Sequence, residues 1–403
     1  MFRNSFAVLL SVVLLVSCAG VGSSTGFAPR EIAVKAGPHD RQNCPVRFTM
    51  PVDGAKHVRL VDKESGEVLP AQVGEKNAIT FILPSLAAGA EKRYTVEAGS
   101  AGTDGIEAKD DGDGRIDILQ GGKLFTAYHY AEKYKKPFLY PVLGANGARL
   151  TRGWPMEEFP GEPQDHVHQK SLWVAHGEVN SVDYWGEGGG SGTQRTDELV
   201  AVESGDAFVR IHAKNSWVNR ADETILAEER EYVFYNTPAA ARSIDLTVTV
   251  TATEGDVTFG DTKEGGMCSL RVNPVINGNA AGEIRNSLGQ VGERECWGRR
   301  AAWCDYSGPI DGRVNGIAIL DHPKNLRHPT CWHVRDYGLM AANCFGYSYF
   351  KSTHEKSGDF VLPAGESVTF RYRVFVHAGG TIEAKVGDRY IDYITPPTVR
   401  VLK

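Results

Sequence analysis

The strongest constraint on the fold of this chain is alternation. Short runs of residues switch between apolar and polar at nearly every position, and clusters of Gly, Pro, Asn and Asp separate the runs. Typical runs are His57-Val58-Arg59-Leu60-Val61, Phe208-Val209-Arg210-Ile211-His212 and Ser243-Ile244-Asp245-Leu246-Thr247-Val248-Thr249-Val250; the pattern returns from Val368 to Val376. Successive side chains of a strand point to opposite faces, so a period of two gathers the apolar groups on one face. No amphipathic helical pattern runs beyond three turns. The chain is therefore predicted to be all-β, made of antiparallel sheets with one drier and one wetter face. The runs within residues 30–98 have the extent of a small Ig-like β-sandwich. A stretch rich in Gly and Asp, from Gly99 to Gly114, marks a boundary. Residues 104–397 are predicted to form a large antiparallel β-sandwich or jelly-roll-like domain.

The N-terminus carries a different signal. Arg3 precedes an apolar run from Phe6 to Val16 that is too short to span a bilayer. Leu15-Val16-Ser17-Cys18 then reads as a lipobox. Residues 1–18 are expected to be a lipoprotein signal peptide, with the lipid on Cys18, and residues 19–29 a flexible tether. This predicts a location in the bacterial periplasm or at the cell surface, with membrane contact through the lipid anchor only. If Cys18 is lipidated, an even number of the seven cysteines remains. In an exported protein that permits disulfides, and Cys296/Cys304 and Cys331/Cys344 are the close pairs; buried free thiols are the equal alternative. A net charge of −6 without a basic stripe argues against a nucleic-acid partner.

Two short stretches hold half of the twelve histidines. The first runs from Asp165-His166-Val167-His168 through Trp173 and His176 to Asn180, Asp183 and Trp185. The second runs from Asp321-His322-Pro323 through Arg327-His328-Pro329 to Trp332-His333-Val334-Arg335-Asp336-Tyr337. Imidazole transfers protons near neutral pH or binds metals. Trp and Tyr offer flat apolar faces, and Arg a fixed fork for carboxylates or hydroxyls. Each feature also has a purely structural reading. His166-x-His168 has metal-ligand spacing, but such pairs are more often simply solvated or hydrogen-bonded. His322-Pro323 and His328-Pro329 can form turns, and Trp173 and Trp332 can anchor a core. Taken together, the two stretches favour one functional cleft. Asp111-Gly112-Asp113-Gly114 resembles the start of a calcium loop, but the twelfth position is Gly122 where a glutamate is needed, which favours a plain turn.

The stretch Asp165 to Trp185 resembles the signature of a bacterial family labelled methane-oxygenase-like, or PmoA-like: D-H-P-H-H-[RK]-x-L-W-x-x-H-G-x-V-N-G-x-D-[FY]-W. Asp321 to Gly346 is similar to a second motif of that family, and Glu229-Arg230-Glu231-Tyr232-Val233-Phe234 to its E-R-x-Y-x-F strand. The resemblance spans about residues 104–395. Val167, Gln169 and Ser181 depart from the motif, where the family has Pro, His and Gly. The label implies a metal-dependent oxygenase. The family's β-rich character and genomic habit imply carbohydrate-related work instead. Membrane methane monooxygenase subunits are multi-span helical proteins, and no transmembrane pattern follows the signal here.

The leading expectation is an exported carbohydrate-active enzyme that cleaves or modifies a glycoside by His/carboxylate acid–base chemistry. His168, His176 and His333 are the candidate proton-transfer groups, with Glu229 and Asp336 as carboxylates. Candidate substrate contacts are His166, Trp173, Asn180, Asp183, Arg327, His328, Arg335 and Tyr337. The partner expected is an oligosaccharide or glycoside. No cofactor is expected, because a Gly-rich nucleotide fingerprint is absent, although a His-bound metal stays open. No GxSxG elbow supports a serine esterase. The alternatives are a non-catalytic glycan-binding lipoprotein and the metal-dependent oxygenase of the label.

Overall fold

The computed structural model describes residues 27–402 except 56, 103 and 352–356. The signal peptide read at residues 1–18, with Cys18, lies outside them. The described chain is all-β, with every paired strand antiparallel. Two eight-stranded sheets form the large unit. The first, here the site sheet, runs in the order Cys331–Arg335, Leu339–Asn343, Gly265–Arg271, Leu172–His176, Phe138–Leu139, Lys123–His129, Arg115–Gln120 and Ile106–Asp110. The companion sheet runs Thr193–Glu203, Phe208–Val218, Thr224–Tyr235, Ala241–Thr251, Ser367–Ala378, Arg313–Asp321, Trp303–Ile310 and Glu283–Asn286.

Alternation explains why these sheets face each other. In Ala241–Thr251 the residues Ile244, Leu246, Val248 and Val250 all turn into one core, where they meet Trp217, Phe234, Trp332 and Met340. Burying each such side chain is worth roughly 1.5–3 kcal/mol. The polar residues between them, such as Asp245 and Thr247, sit on the opposite, wetter face. The site sheet departs from that rule. Its strands Leu172–His176, Gly265–Arg271 and Leu339–Asn343 are buried at every position. Their second face carries its own apolar layer of Phe138, Tyr140, Trp173, Ala175, Trp185, Leu339 and Ala341. This doubly covered region underlies the candidate site.

The N-terminal strands form a separate seven-stranded sheet, curled almost into a barrel around a core of Val34, Val46, Val58, Leu60, Phe81 and Val96. Its last strand, Thr398–Val401, comes from the C-terminus and pairs with Arg30–Lys35. The units are pinned together by Gln72, whose Oε1 accepts from the backbone of Phe208 at 2.9 Å, and by Arg41 and His39, which both reach Asp392. The acidic stretch that resembled a calcium loop is the turn of a hairpin, in which Asp111 accepts from the backbone nitrogens of Asp113 and Arg115. Neither close cysteine pair is bridged. Cys44, Cys268, Cys296, Cys304, Cys331 and Cys344 are buried free thiols, acting as small apolar side chains.

Candidate functional site

Strand register brings the two histidine-rich segments onto one surface. Trp173 pairs with Ser269, Ser269 with Ala341, and Ala341 with His333. Directly paired residues share a face, so these four form a row across four neighbouring strands. The next row contains Arg271, Leu339 and Arg335. The period of two sends Trp332 and Val334 the other way, into the core between the sheets. His333 and Arg335 therefore share the outer face of the site sheet with Trp173, although about 160 residues separate them in sequence.

A turn rises over this floor. His166, with φ of 43°, lays its ring on Tyr337 at 5.4 Å and nearly parallel. His168 lies 5.6 Å from His166 and 6.3 Å from Trp185, which in turn packs edge-on against Trp173 at 5.3 Å. Asp183 holds the Trp185 turn by accepting from the backbone nitrogens of Trp185 and Gly186. Its role is positional.

The residue that joins the halves is Glu264, just before the strand Gly265–Arg271. Its carboxylate is salt-bridged to Lys263 at 2.6 Å and interacts electrostatically with His168, His333 and Tyr337. Burial by itself would raise its pKa; the hydrogen bond and charge of the Lys263 ammonium act the other way, and Glu264 is held below its usual range. Burial pushes His168 down to about 4, helped by Lys136 and His166, and pushes His333 down to about 4 against the pull of Glu264. Both rings are therefore neutral at pH 7. His333 Nδ1 lies 2.8 Å from the Lys263 carbonyl, which can only accept. Nδ1 thus carries the proton, and the Nε2 lone pair is left as a base.

Two ion triads support this arrangement. Asp165 is held by Arg152 at 2.5 Å and Arg271 at 3.2 Å, which keep it near a pKa of about 2 although burial acts in the other direction. Glu187 is clasped by Lys136 at 3.0 Å and by Lys170. Gln169, which departs from the family motif, accepts from Arg271.

The other residues singled out in the sequence lie elsewhere. His176 is fully buried between Phe259 and Phe345, with Nε2 on the Gly260 carbonyl, and does not reach the cleft. A Cβ on Gly265 would stand 2.3 Å from its Nδ1, so glycine is required beside it. Glu229 projects from the exposed face of the companion sheet toward His212, because alternation gives the inward place to Glu228. Asp336 exchanges hydrogen bonds with the backbone and side chain of Glu293. Asn180 ties its own turn to Asp256 and Thr258. Arg327 donates to the carbonyls of Cys344, Gly358 and Asp359, and His328 pairs with Asp321 at 2.7 Å. Trp173 is completely buried and anchors the floor rather than presenting a free face. Glu264, Lys263, Lys136 and Glu187 carried no sequence signal, and Lys170 appeared only as the [RK] position of the histidine-rich motif.

Among the described residues no three His, Cys, Asp or Glu side chains stand close enough to share a metal ion. His166 and His168 lie in a turn rather than on one strand face, and His166 Nδ1 is already engaged by Asp165 at 2.7 Å.

The chain belongs to the family of unknown function DUF6807, which matches residues 115–391. No curated protein matches the sequence. Among solved structures the chain is similar to a protein in the glycosyl hydrolase family 38 from Enterococcus faecalis, at 10% identity and a TM-score of 0.41, covering 93% of this chain and 47% of that one. It is also similar to an alpha-mannosidase from Enterococcus faecalis V583, at 9% identity and a TM-score of 0.42, covering 94% and 47%. The chain thus spans about half the length of the structures it matches. Likeness at that level carries no functional information.

Proposed function

We propose that the protein is an exported, lipid-anchored carbohydrate-active enzyme whose acid–base chemistry is carried by Glu264 between His168 and His333. The observation behind this reading is that His333 and the turn of His166 and His168, from segments far apart in sequence, gather on the outer face of the site sheet, where Glu264 lies within electrostatic reach of His168 and His333. A carboxylate can take a proton from a hydroxyl, and an imidazole with a free lone pair can receive or relay it. The other nearby carboxylates, Asp165 and Glu187, are each held by two cations. Proton transfer on a sugar, as in elimination or epimerisation, fits one carboxylate and two imidazoles.

The accessible layer favours a polyhydroxylated ligand. Arg335 and Lys263 supply donors, Glu264 supplies an acceptor, and exposed Val167 and half-buried Tyr337 supply apolar surface. The lipobox at Cys18 supports work outside the cytoplasm.

The test is a panel of mono- and oligosaccharides assayed for binding and turnover with wild-type protein and Glu264→Gln. The variant keeps the shape and should bind, while turnover falls roughly a hundredfold to ten-thousandfold. Full activity of Glu264→Gln, or no binding of any saccharide by the wild type, would overturn the reading. Binding with no turnover by the wild type would make the protein a glycan-binding lipoprotein.

A further inference from the structure

The outer face of the companion sheet turns toward the small N-terminal sheet, and the two enclose a cavity of about 200 Å³. Alternation decides what lines it. Val209, Ile211, Tyr232 and Phe234 enter the core between the large sheets, which leaves Phe208, Arg210, Val233 and Tyr235 on the outer face. On the other wall, Val46, Phe48, Ile79 and Phe81 fill the core of the N-terminal sheet, so the cross-strand pair Arg47 and Thr80 faces outward. Gln72 on the Phe208 backbone and the Arg210–Glu75 ion pair at 2.8 Å hold the two walls together.

Thr80 is only 6% exposed and lines this cavity, yet its hydroxyl has no hydrogen-bond partner among the described residues. Buried hydroxyls are normally paired, because leaving one unpaired costs free energy. The Arg47 guanidinium lines the same cavity with neither hydrogen bond nor ion pair among the described residues. Opposite lie Glu75, Glu203 and Glu231. Each gives one oxygen to Arg210, at 2.8, 3.2 and 2.5 Å, and the other oxygen of each has no partner among the described residues. Phe208, Val233 and Tyr235 supply the apolar part of the wall. Water could meet the polar groups, but covering the apolar ones with water gains nothing.

The lining is mixed in charge. The three carboxylates face the guanidiniums of Arg47 and Arg210, and the charges behind the wall are paired, Arg373 with Asp245 at 2.6 Å. An anion placed here meets carboxylates, and a cation meets guanidiniums. A neutral ligand with several hydroxyls and an apolar face meets every group with its complement. The volume lies below the roughly 300–1,000 Å³ of ordinary ligand pockets, so the occupant is small. We propose that this cavity is a second saccharide site that takes one neutral hexose unit. Arg47, Thr80 and the outer oxygens of Glu75, Glu203 and Glu231 bind its hydroxyls, and Phe208, Val233 and Tyr235 lie against its ring. The site goes beyond the carbohydrate reading: it shares the ligand class but none of the residues, and it lies on the opposite side of the sandwich from Glu264.

The experiment is calorimetric titration of the full chain with the methyl glycosides of glucose, galactose and mannose, and with the matching hexuronates and hexosamines. At least one neutral hexoside should bind, more tightly than its acidic and amino counterparts. Thr80→Val should weaken that binding roughly threefold to tenfold and Arg47→Ala roughly tenfold to a hundredfold, the losses expected for a neutral and a charged hydrogen bond. Arg335→Ala, which strips a donor from the candidate site, should leave it in place; melting temperatures check that all three variants fold. Equal or tighter binding of the acidic or amino sugar overturns the neutral-ligand assignment. Binding that Arg335→Ala weakens and the two cavity variants do not belongs to the candidate site, which overturns this inference and leaves the carbohydrate reading standing. No binding of any hexoside also overturns this inference, while the carbohydrate reading still answers to its own oligosaccharide panel.

Discussion

His176 gives the sharpest test of how the site is separated from the core. Its ring is fully buried, and burial pushes it from its ordinary 6.5 down to about 4, with the Gly260 carbonyl acting in the other direction. The folded protein therefore refuses a proton that the unfolded chain accepts between pH 6.5 and 4. Stability is complete above that window and falls as the pH drops through it. At about 1.4 kcal/mol per pH unit, the whole gap is worth about 3 kcal/mol, of which about 2 kcal/mol is lost between pH 7 and pH 5. His168 and His333 are shifted in the same direction and add to the acid loss, so one variant must isolate the share of His176. His176→Gln cannot protonate, and its amide can still donate to Gly260. Urea unfolding at pH 7 and pH 5 should show the variant weaker at pH 7 but losing about 2 kcal/mol less than the wild type on acidification. Its turnover at pH 7 should stay close to that of the wild type, because the ring touches Phe259 and Phe345 rather than the cleft. Equal acid losses in the two proteins would refute the burial argument, and abolished turnover in a folded variant would return His176 to the mechanism.

Trp173→Ala should lower stability by about 3–5 kcal/mol, because a fully buried ring leaves a cavity; a urea midpoint close to that of the wild type would show that the floor can collapse. Glu229→Ala should change stability by no more than about 0.5 kcal/mol and leave saccharide turnover intact, since its carboxylate sits on the exposed face of the companion sheet; a large loss of turnover would place that face in the mechanism.

The fold class was legible because period-two alternation is a local property, and strands such as Ala241–Thr251 display it residue by residue. The site was half legible. His166, His168, His333, Arg335 and Tyr337 stood out because imidazole, guanidinium and phenol crowd into short segments, and register then placed them on one face. His176 was misassigned because the same crowding cannot distinguish a wet imidazole from one enclosed by Phe259 and Phe345. Glu229 was misassigned because neighbouring positions of a strand point in opposite directions, and only the partner of Arg230 shows that Glu228 has the inward place. Glu264 was invisible for a different reason. Its importance is purely relational: it lies beside a strand that pairs on one edge with the strand of Trp173 and His176 and on the other with Leu339–Asn343, which leads to His333. A carboxylate next to the central strand of such a set meets whatever its neighbours bring, whatever its own sequence context. Charge balance follows the same logic. Glu187 looks like an ordinary surface acid in the sequence and Asp165 only like the first residue of a histidine-rich motif; the folded chain reveals that each is divided between two buried cations. The make-up of this candidate site is therefore set less by any motif than by which strands lie side by side.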